Sequence, residues 1–256
     1  MTVAADEVGK TRLTSLRQSG ATKLVFPRQI TPGIEAILIN TAGGMTGGDQ
    51  FELTAEVGTG AHLTLTTQAA ERAYRAQSGE VGCMTTKLTV HAGGRLDWLP
   101  QEMILFDGSA LRRTLEIDLA PDAQLLMVEP LIFGRAAMGE SLESISFQDR
   151  ISIHRAETPL YLDALNLQGQ ATEQLARTAI AKGAGAMASV VLVRPDVGAL
   201  LPKVRAMLPE TAGASLIAED TLVSRLLAED SFLLRRDLVP VLECLSNRNL
   251  PTSWRL

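Results

Sequence analysis

A short apolar pattern that recurs in the first half of the chain constrains its fold more than any other feature. Each copy contains two apolar pairs. The two apolar residues of a pair are separated by one residue of any kind, and the two pairs are separated by five residues. The apolar positions of the three copies are Ala55, Val57, Leu63 and Leu65; Leu88, Val90, Leu96 and Trp98; and Ile117, Leu119, Leu125 and Met127. The copies begin 33 residues apart, at 55 and 88, and then 29 residues apart, at 88 and 117.

Each copy predicts two short strands joined by a turn, because apolar residues at every second position are typical of a half-buried strand. The connectors contain residues that favour turns: Gly58 and Gly60, Gly93 and Gly94, and Pro121 and Asp122. Such units cannot bury an apolar face alone and are expected to stack. We therefore predict a mainly β fold, an elongated two-layer superhelical (β-helix-like) stack of short strands rather than a closed barrel. The alternative is a chance spacing in an ordinary β protein.

Beyond Leu165 the pattern changes to that of a smaller α+β part. The predicted elements are helices over 171–182 and 197–208, a buried strand over 188–194, paired strands over 214–218 and 221–227, and a last helix from Ser231. Ser231 is the expected N-cap of that last helix, and Pro240 predicts a kink or a late start. We expect a β-helix-like body over 1–165 and an α+β part over 166–256 packed on it, within one integrated domain over 11–256.

The segment Thr41-Ala-Gly-Gly-Met-Thr-Gly-Gly-Asp49 places four glycines before an acid: Gly43, Gly44, Gly47 and Gly48. The spacing resembles a phosphate-binding loop, but Asp49 occupies the position of the lysine and Gln50 that of the Ser or Thr that binds magnesium. A carboxylate at that position repels phosphate. We interpret the loop as a tight turn between strands that directs Asp49 into the interior.

The usual signatures of cofactor binding and nucleophilic catalysis are missing from the sequence. Residues 182–188 match G-x-G-x-x-A, but they follow a predicted helix and precede a strand, the reverse of a dinucleotide site. No G-x-S-x-G elbow occurs, and His62, His91 and His154 lie on separate predicted strands without a chelating spacing. We therefore expect no nucleophilic triad and no tightly bound cofactor, and any metal contact should be weak and rich in oxygen ligands.

Charge and composition narrow the range of partners. A net charge of −5 and an aromatic content of 4% argue against a nucleic-acid surface, which normally carries a basic patch and stacking platforms. Cys83 and Cys244 do not form a zinc or disulfide framework, and the sequence contains no secretory signal and no apolar run of membrane-spanning length. These features predict a cytoplasmic protein that binds neither nucleic acid nor membrane, with proteins or cations as partners.

Acids and amides in or beside turns remain as candidate functional residues: Asp49, Gln101, Glu102, Asp107, Glu129 and Asp163. Carboxylates at strand ends are most often turn caps. Glu129, however, follows the apolar run 125–128, and Asp163 lies between Leu162 and Ala164. An acid in such a position is expected to be solvated, paired or lining a polar passage.

Three segments, in this order, resemble the family of the urease accessory protein UreD, called UreH in some systems: Thr41–Asp49, Leu65–Arg75 and Leu99–Ser109. The segment Glu129–Arg135 and the ending Asn249–Arg255 add to the likeness, which runs from about Arg12 to the C-terminus. The chain differs from the usual family pattern at Glu71, where a small residue is common, and at Arg72-Ala73. It is also expected to lack the first strand of the family.

The resemblance implies a layered, β-helix-like fold and a non-enzymatic metallochaperone scaffold for loading nickel into apo-urease. Family members bind UreF, which recruits the nickel-carrying GTPase UreG, and polar tunnels through the fold are proposed to pass the ion onward. Carried over by motif, Asp49, Glu129 and Asp163 would be tunnel-side acids that contact Ni²⁺ transiently, with Gln101 and Glu102 close to them. The glycine loop and Asp107 belong to the same motifs.

Two other functions remain open on the residues alone. A β-helical carbohydrate-active enzyme would place carboxylates such as Asp107 and Glu129 within roughly 10 Å of each other in an open groove. A general protein-interaction module would use its acids only to cap turns.

Overall fold

The computed structural model describes residues 1–28 and 32–254. Two β-sheets face each other, and helices cover the outer side of one of them. The strands are β1 (Thr2–Ala5), β2 (Thr11–Ser15), β3 (Thr22–Val25), β4 (Ile34–Asn40), β5 (Gln50–Val57), β6 (His62–Thr67), β7 (Glu71–Ala73), β8 (Gly82–Val90), β9 (Arg95–Leu99), β10 (Met103–Leu105), β11 (Ala110–Leu119), β12 (Gln124–Phe133), β13 (Ile145–Arg155), β14 (Thr158–Gly169), β15 (Ala186–Val193), β16 (Ala212–Ala218) and β17 (Thr221–Ala228). The helices are α1 (Ala171–Ala176), α2 (Val197–Met207) and α3 (Ser231–Leu245), with 3-10 turns at Ala136–Met138 and Thr252–Trp254.

Parallel strands form the centre of both sheets and antiparallel strands form the edges. The first sheet has the order β14-β13-β11-β8-β5-β1-β2, in which β5, β8, β11 and β13 are parallel neighbours. The second has the order β16-β17-β15-β12-β9-β6-β4-β3, in which β4, β6, β9 and β12 are parallel neighbours. Short strands β10 and β7 join the second sheet beside β12. From β4 to β13, apart from the short strands β7 and β10, successive strands therefore alternate between the two sheets, as the predicted stack requires.

The predicted repeat is confirmed residue by residue. Ala55 pairs with Leu88 and Leu88 with Ile117 across the first sheet. In the second sheet, Leu63 pairs with Leu96, which in turn pairs with Leu125. All twelve apolar positions belong to one buried cluster between the sheets. The two halves of each copy thus lie in opposite sheets, and equivalent positions of successive copies are direct neighbours.

The C-terminal elements follow the prediction with two corrections. The strands and α2 lie where expected, and β15 continues the second sheet by pairing with β12. The first helix is wrong in length: it ends at Ala176, because Arg177 adopts an extended backbone and the chain turns back to bury Ala181. The N-cap of α3 is Asp230 rather than Ser231, since the Asp230 side chain accepts the backbone N–H of Leu233. The helix starts without delay and contains Pro240.

The N-terminal residues also contribute to the first sheet. A strand precedes residue 11, because β1 pairs with β2 and with β5. Fully buried Val3 anchors this strand in the apolar cluster between the sheets.

A separate apolar cluster lies outside the sandwich, where α2 and α3 pack on the outer face of the second sheet. The buried side chain of Trp254 closes this layer and donates its indole N–H to the carbonyl of Leu99 at 2.9 Å. No helix within the described ranges combines the length and apolar character that a bilayer span requires.

Candidate functional site

A polar level crosses the interior of the sandwich between two apolar levels. Its inward-facing residues are paired across neighbouring strands: Arg113 with Asp149 in the first sheet, and Glu129 with Ser189 and Ser189 with Arg225 in the second. Asp163 on β14 lies opposite Ile151, one inward position away from Asp149. Arg113 illustrates the arrangement, since Leu115 on one side of it belongs to the cluster of the repeat and Leu111 on the other side to a different cluster. Because side chains alternate along a strand, each polar residue takes an inward position in place of an apolar one.

Arg113, Glu129 and Asp149 form a buried ion triad at the centre of this level. Two parallel hydrogen bonds join Arg113 to Asp149, from Nε to Oδ1 at 2.9 Å and from Nη2 to Oδ2 at 2.6 Å. Nη1 lies 2.6 Å from Oε2 of Glu129, a contact that is an ion pair but lacks hydrogen-bond alignment. Trp98 donates its indole N–H to the other oxygen, Oε1, at 2.5 Å. The triad carries one positive and two negative formal charges.

Burial dominates the electrostatics of the triad. The side chains of Arg113, Glu129 and Asp149 are 9, 5 and 6% exposed. Burial raises the pKa of Glu129 above its ordinary value of 4.5, and the charge of Arg113 opposes this rise. Burial also acts to lower the pKa of Arg113, but the charges of Asp149 and Glu129 outweigh it and raise that pKa. The guanidinium is therefore a permanent cation held between its two partners.

A large cavity reaches the triad from one side. Its volume is about 610 Å³, and Arg113, Glu129 and Trp98 line its inner end. Its outer end is lined by charged and polar side chains, among them Glu71, Arg72, Arg17, Gln18 and Lys23. The cavity thus extends from the β3–β4 edge of the second sheet to the middle of the sandwich.

A small cavity lies on the other side of the triad. Its volume is about 10 Å³, roughly enough for a single water molecule. Glu129, Asp149, Asp163, Ser189 and Arg225 are among its lining residues. Glu129 lines both cavities. The triad is consequently the partition between them.

The chain matches the family model described as UreD urease accessory protein over residues 2–255. The chain belongs to the UreD family. It is 54% identical over 244 residues to the urease accessory protein UreD of Ruegeria pomeroyi, covering 95% of each chain. It is 50% identical to that of Roseobacter denitrificans (97% of this chain, 90% of the relative) and 43% identical to that of Sinorhizobium medicae (99% and 94%). The match begins ten residues before Arg12, where the resemblance was expected to start.

Of the acids that the UreD resemblance singles out, Glu129 and Asp163 meet at the polar level. Asp163 is half-buried on β14, accepts a hydrogen bond from the hydroxyl of Tyr161 at 3.1 Å and forms an ion pair with Arg225. Arg225 lies on β17 of the opposite sheet, so this ion pair connects the two sheets at the side of the polar level away from the large cavity. Both acids are paired and line a cavity, as expected for acids within apolar runs.

Asp49 does not point into the interior, and that expectation is wrong. Its carboxylate accepts the backbone N–H of Thr46 at 2.8 Å and so caps its own turn, and it lines neither cavity. The glycines do serve the tight turn. Gly43 and Gly48 have positive φ angles of 79° and 82°. Gly44 and Gly47 instead admit close neighbours: a Cβ at Gly44 would lie 2.2 Å from the ring of Tyr74, and one at Gly47 would lie 2.6 Å from Glu80.

Gln101 and Glu102 connect the sandwich to the helical layer. Nη1 of Arg235, on α3, donates to Gln101 Oε1 at 2.7 Å and to Glu102 Oε1 at 2.9 Å. The Arg235 guanidinium also lies over the ring of Trp254. Gln101 is buried and lines the large cavity, and its Nε2 has no hydrogen-bond partner among the residues described. Gln101 and Glu102, held by Arg235, therefore support the wall of the large cavity.

Asp107 anchors a surface loop. Its Oδ1 accepts the backbone N–H groups of Glu143 and Ser144, and its Oδ2 pairs with Arg75 at 2.6 Å. Asp107 lines neither cavity, whereas Glu129 is buried between the sheets. The two carboxylates therefore do not share the open groove that a glycosidase would need.

The histidines each lie beside one acid. The three pairs are His62 with Asp97, His91 with Glu56, and His154 with Asp118. Asp97 is buried and also accepts from Arg95. Burial raises the pKa of Asp97, but the His62 hydrogen bond and the Arg95 charge outweigh it and hold that pKa below 3.8. Within residues 1–28 and 32–254, no three His, Cys, Asp or Glu residues converge as a metal cage, and both cysteines are free.

Sequence reasoning missed Arg113 and Asp149, although a signal for each existed. In the segment 113–119 the inward set is Leu115, Ile117 and Leu119, and one further step of two residues places Arg113 on the same face. The same step from Ile151 places Asp149 inward. A charged residue at such a position does not by itself predict burial, because buried charges are rare unless they are paired.

Proposed function

We propose that this UreD family member is a non-enzymatic scaffold for nickel insertion into apo-urease in the cytoplasm, and that Ni²⁺ passes through it along the polar level. In this role the chain joins UreF-like and UreG-like accessory proteins to apo-urease. The observation that carries the proposal is that Glu129 lines both cavities, one reaching the β3–β4 edge and the other reaching Asp163.

The chemistry of the level suits a cargo ion better than a resident one. Delivery requires oxygen donors that stabilise a divalent cation without enclosing it. Glu129 and Asp163 supply single carboxylates at separate points, and Gln101 supplies an amide in the wall of the large cavity. The excess negative charge of the triad favours a cation at the midpoint of the path.

The linking role is supported by family membership. The relatives named above are called urease accessory proteins, and urease is accordingly the first partner to test. Asp49 is left out of the proposed path, because its carboxylate is held by its own turn.

The test is reconstitution of urease in cells that carry the other accessory proteins, with and without this chain, scored as nickel per urease active site. Glu129→Gln and Asp163→Asn remove a charge and keep the side-chain shape, and Arg113 keeps Asp149 as its partner in the first variant. We expect both variants to lower nickel occupancy. Asp49→Asn is the matched control and should retain it, with immunoblots showing equal amounts of each chain.

Two results would contradict the proposal, one in part and one as a whole. Full nickel occupancy with both Glu129→Gln and Asp163→Asn would remove the internal passage and leave the scaffold role. Full occupancy without the chain would remove the function in nickel insertion altogether.

A further inference from the structure

Arg113 lies in the wall of the large cavity and contacts Glu129, which lines both cavities. Arg113 and Glu129 line the inner end of the large cavity, and Glu129 and Asp149 line the small one. A cation that moves from one cavity to the other must pass the contact between Arg113 and Glu129. In the described state the guanidinium fills the cation position at that contact, so a second cation cannot enter it while Arg113 stays there.

The two arms of the triad differ in strength. Asp149 holds the guanidinium by two aligned hydrogen bonds, a bidentate geometry that is among the strongest for arginine. Glu129 holds it by one contact that lacks hydrogen-bond alignment, while Trp98 binds the other oxygen of Glu129. The arm toward Glu129 is therefore the one that opens more easily.

The charges also suggest what can replace the guanidinium. Glu129 and Asp149 together carry two negative charges, and Arg113 neutralises only one of them. A divalent cation between the two carboxylates would balance both. The site that Arg113 fills is thus better matched in charge to a divalent ion than to the side chain that occupies it.

We propose that Arg113 is the gate of the passage: its guanidinium occupies the cation position between Glu129 and Asp149, and Ni²⁺ crosses only when the guanidinium leaves that position. This inference rests on the proposed function, and it adds a residue that controls passage. The wild-type gate keeps the level from retaining the ion, because Arg113 returns to Glu129 and displaces it.

The gate is tested by removing the guanidinium and measuring binding of Ni²⁺ alone to the purified full chain by equilibrium dialysis. Arg113→Met leaves both carboxylates in place without their cation. We expect this variant to retain one Ni²⁺ per chain at least tenfold more tightly than the wild type. Arg112→Met is the matched control: Arg112 is the preceding residue on β11, it is exposed, and it contacts Gln148 instead of the triad.

Two further variants make the result specific. Arg113→Met combined with Glu129→Gln and Asp149→Asn should lose the gained Ni²⁺, since it removes both carboxylates. Arg113→Gln keeps hydrogen-bonding capacity without charge and takes the place of Arg113→Met if circular dichroism shows that the methionine variant does not fold.

The outcomes separate this inference from the proposed function. Equal Ni²⁺ binding by Arg113→Met (or its glutamine substitute) and Arg112→Met would overturn the gate, while the occupancy results for Glu129→Gln and Asp163→Asn would still decide the passage. Tight Ni²⁺ binding at the triad of the wild type would also overturn it, because a gate that retains its cargo does not exchange it. A gain in Ni²⁺ binding by Arg113→Met without any loss of urease nickel occupancy in the reconstituted cells would also overturn the gate, because the retained ion would then not block delivery.

Discussion

Replacing Arg113, Glu129 and Asp149 together by apolar residues separates the stability of the polar level from its function. The three side chains are only 9, 5 and 6% exposed, so solvent and salt screen their charges little. Removing Arg113 alone as Arg113→Met strands two buried carboxylates, and we expect the free energy of unfolding to fall by about 3–5 kcal/mol. This estimate applies in the presence of a chelator, because a bound divalent ion would restore part of the loss.

The triple variant Arg113→Met, Glu129→Leu and Asp149→Leu is expected to behave differently. Exchanging a complete buried ion group for packed apolar residues is often neutral or stabilising, by about 1–4 kcal/mol. One cost remains: the indole N–H of Trp98 loses its acceptor, Glu129, which costs about 1–3 kcal/mol. The two contributions nearly cancel, so the triple variant should be about as stable as the wild type and several kcal/mol more stable than Arg113→Met.

The assay is urea denaturation of each purified chain, followed by far-UV circular dichroism, together with the nickel content of urease in the reconstituted cells. A folded triple variant that fails to support nickel loading would assign the triad to function. A triple variant as unstable as Arg113→Met would contradict the expected stability, since the polar level would then be needed for folding. A stable triple variant that loads urease as well as the wild type would contradict the role of the triad in nickel loading.

Three further predictions concern the packing around this level. Gly44→Ala would place a Cβ 2.2 Å from the ring of Tyr74, and we expect urea denaturation to show a loss of about 1–3 kcal/mol; an unchanged midpoint would contradict the close packing. Leu88→Ala, in the central copy of the repeat, should lower the free energy of unfolding by about 2–5 kcal/mol in the same assay. A loss no larger than that of an alanine substitution at an exposed position would contradict the stacking. The hydrogen bond with His62 and the charge of Arg95 lower the pKa of Asp97, so these contacts contribute stability above pH 3.8 that is lost as the pH falls through the folded-state pKa. The stability difference between wild type and Asp97→Asn should therefore shrink below pH 3.8 in thermal unfolding, and a constant difference would be inconsistent with it.

The fold could be predicted from the sequence because its repeat is imposed by burial. A strand pair with one apolar face must stack on another, and the spacing of Leu88, Leu96 and their equivalents fixes which residues meet. Element ends were less accessible. The first helix stops at Ala176 because tertiary packing of Ala181 outweighs the local preference for helix, and a propensity argument does not include such packing.

The candidate site was predictable where a charge interrupts an apolar run. Glu129 and Asp163 were identified in this way, since burying an unpaired acid is costly and the sequence around them predicts burial. Arg113 and Asp149 were missed although each interrupts an alternating pattern, Arg113 between Leu111 and Leu115 and Asp149 between Phe147 and Ile151. A charged residue in such a pattern is usually exposed, because buried charges are rare unless they are paired. Asp49 was misassigned because its carboxylate accepts the backbone N–H of Thr46, three residues earlier in the chain. The sequence alone does not distinguish such a turn cap from an acid that points inward.

The stacked architecture explains how such a polar level can exist at all. In stacked strands that keep their register, paired positions of neighbouring strands are adjacent: Arg113 pairs with Asp149 between the parallel strands β11 and β13, and Glu129 pairs with Ser189 between the antiparallel strands β12 and β15. A change at one position per strand therefore builds a continuous polar row across the sandwich and leaves the apolar rows on either side intact. Successive rows are two residues apart along each strand, since every second side chain faces inward. The neighbouring apolar rows, which are formed by the repeat, supply the stability that the polar row does not. A closed apolar core without this register would need polar residues at unrelated sequence positions to form the same row, and each would disturb a different set of core contacts.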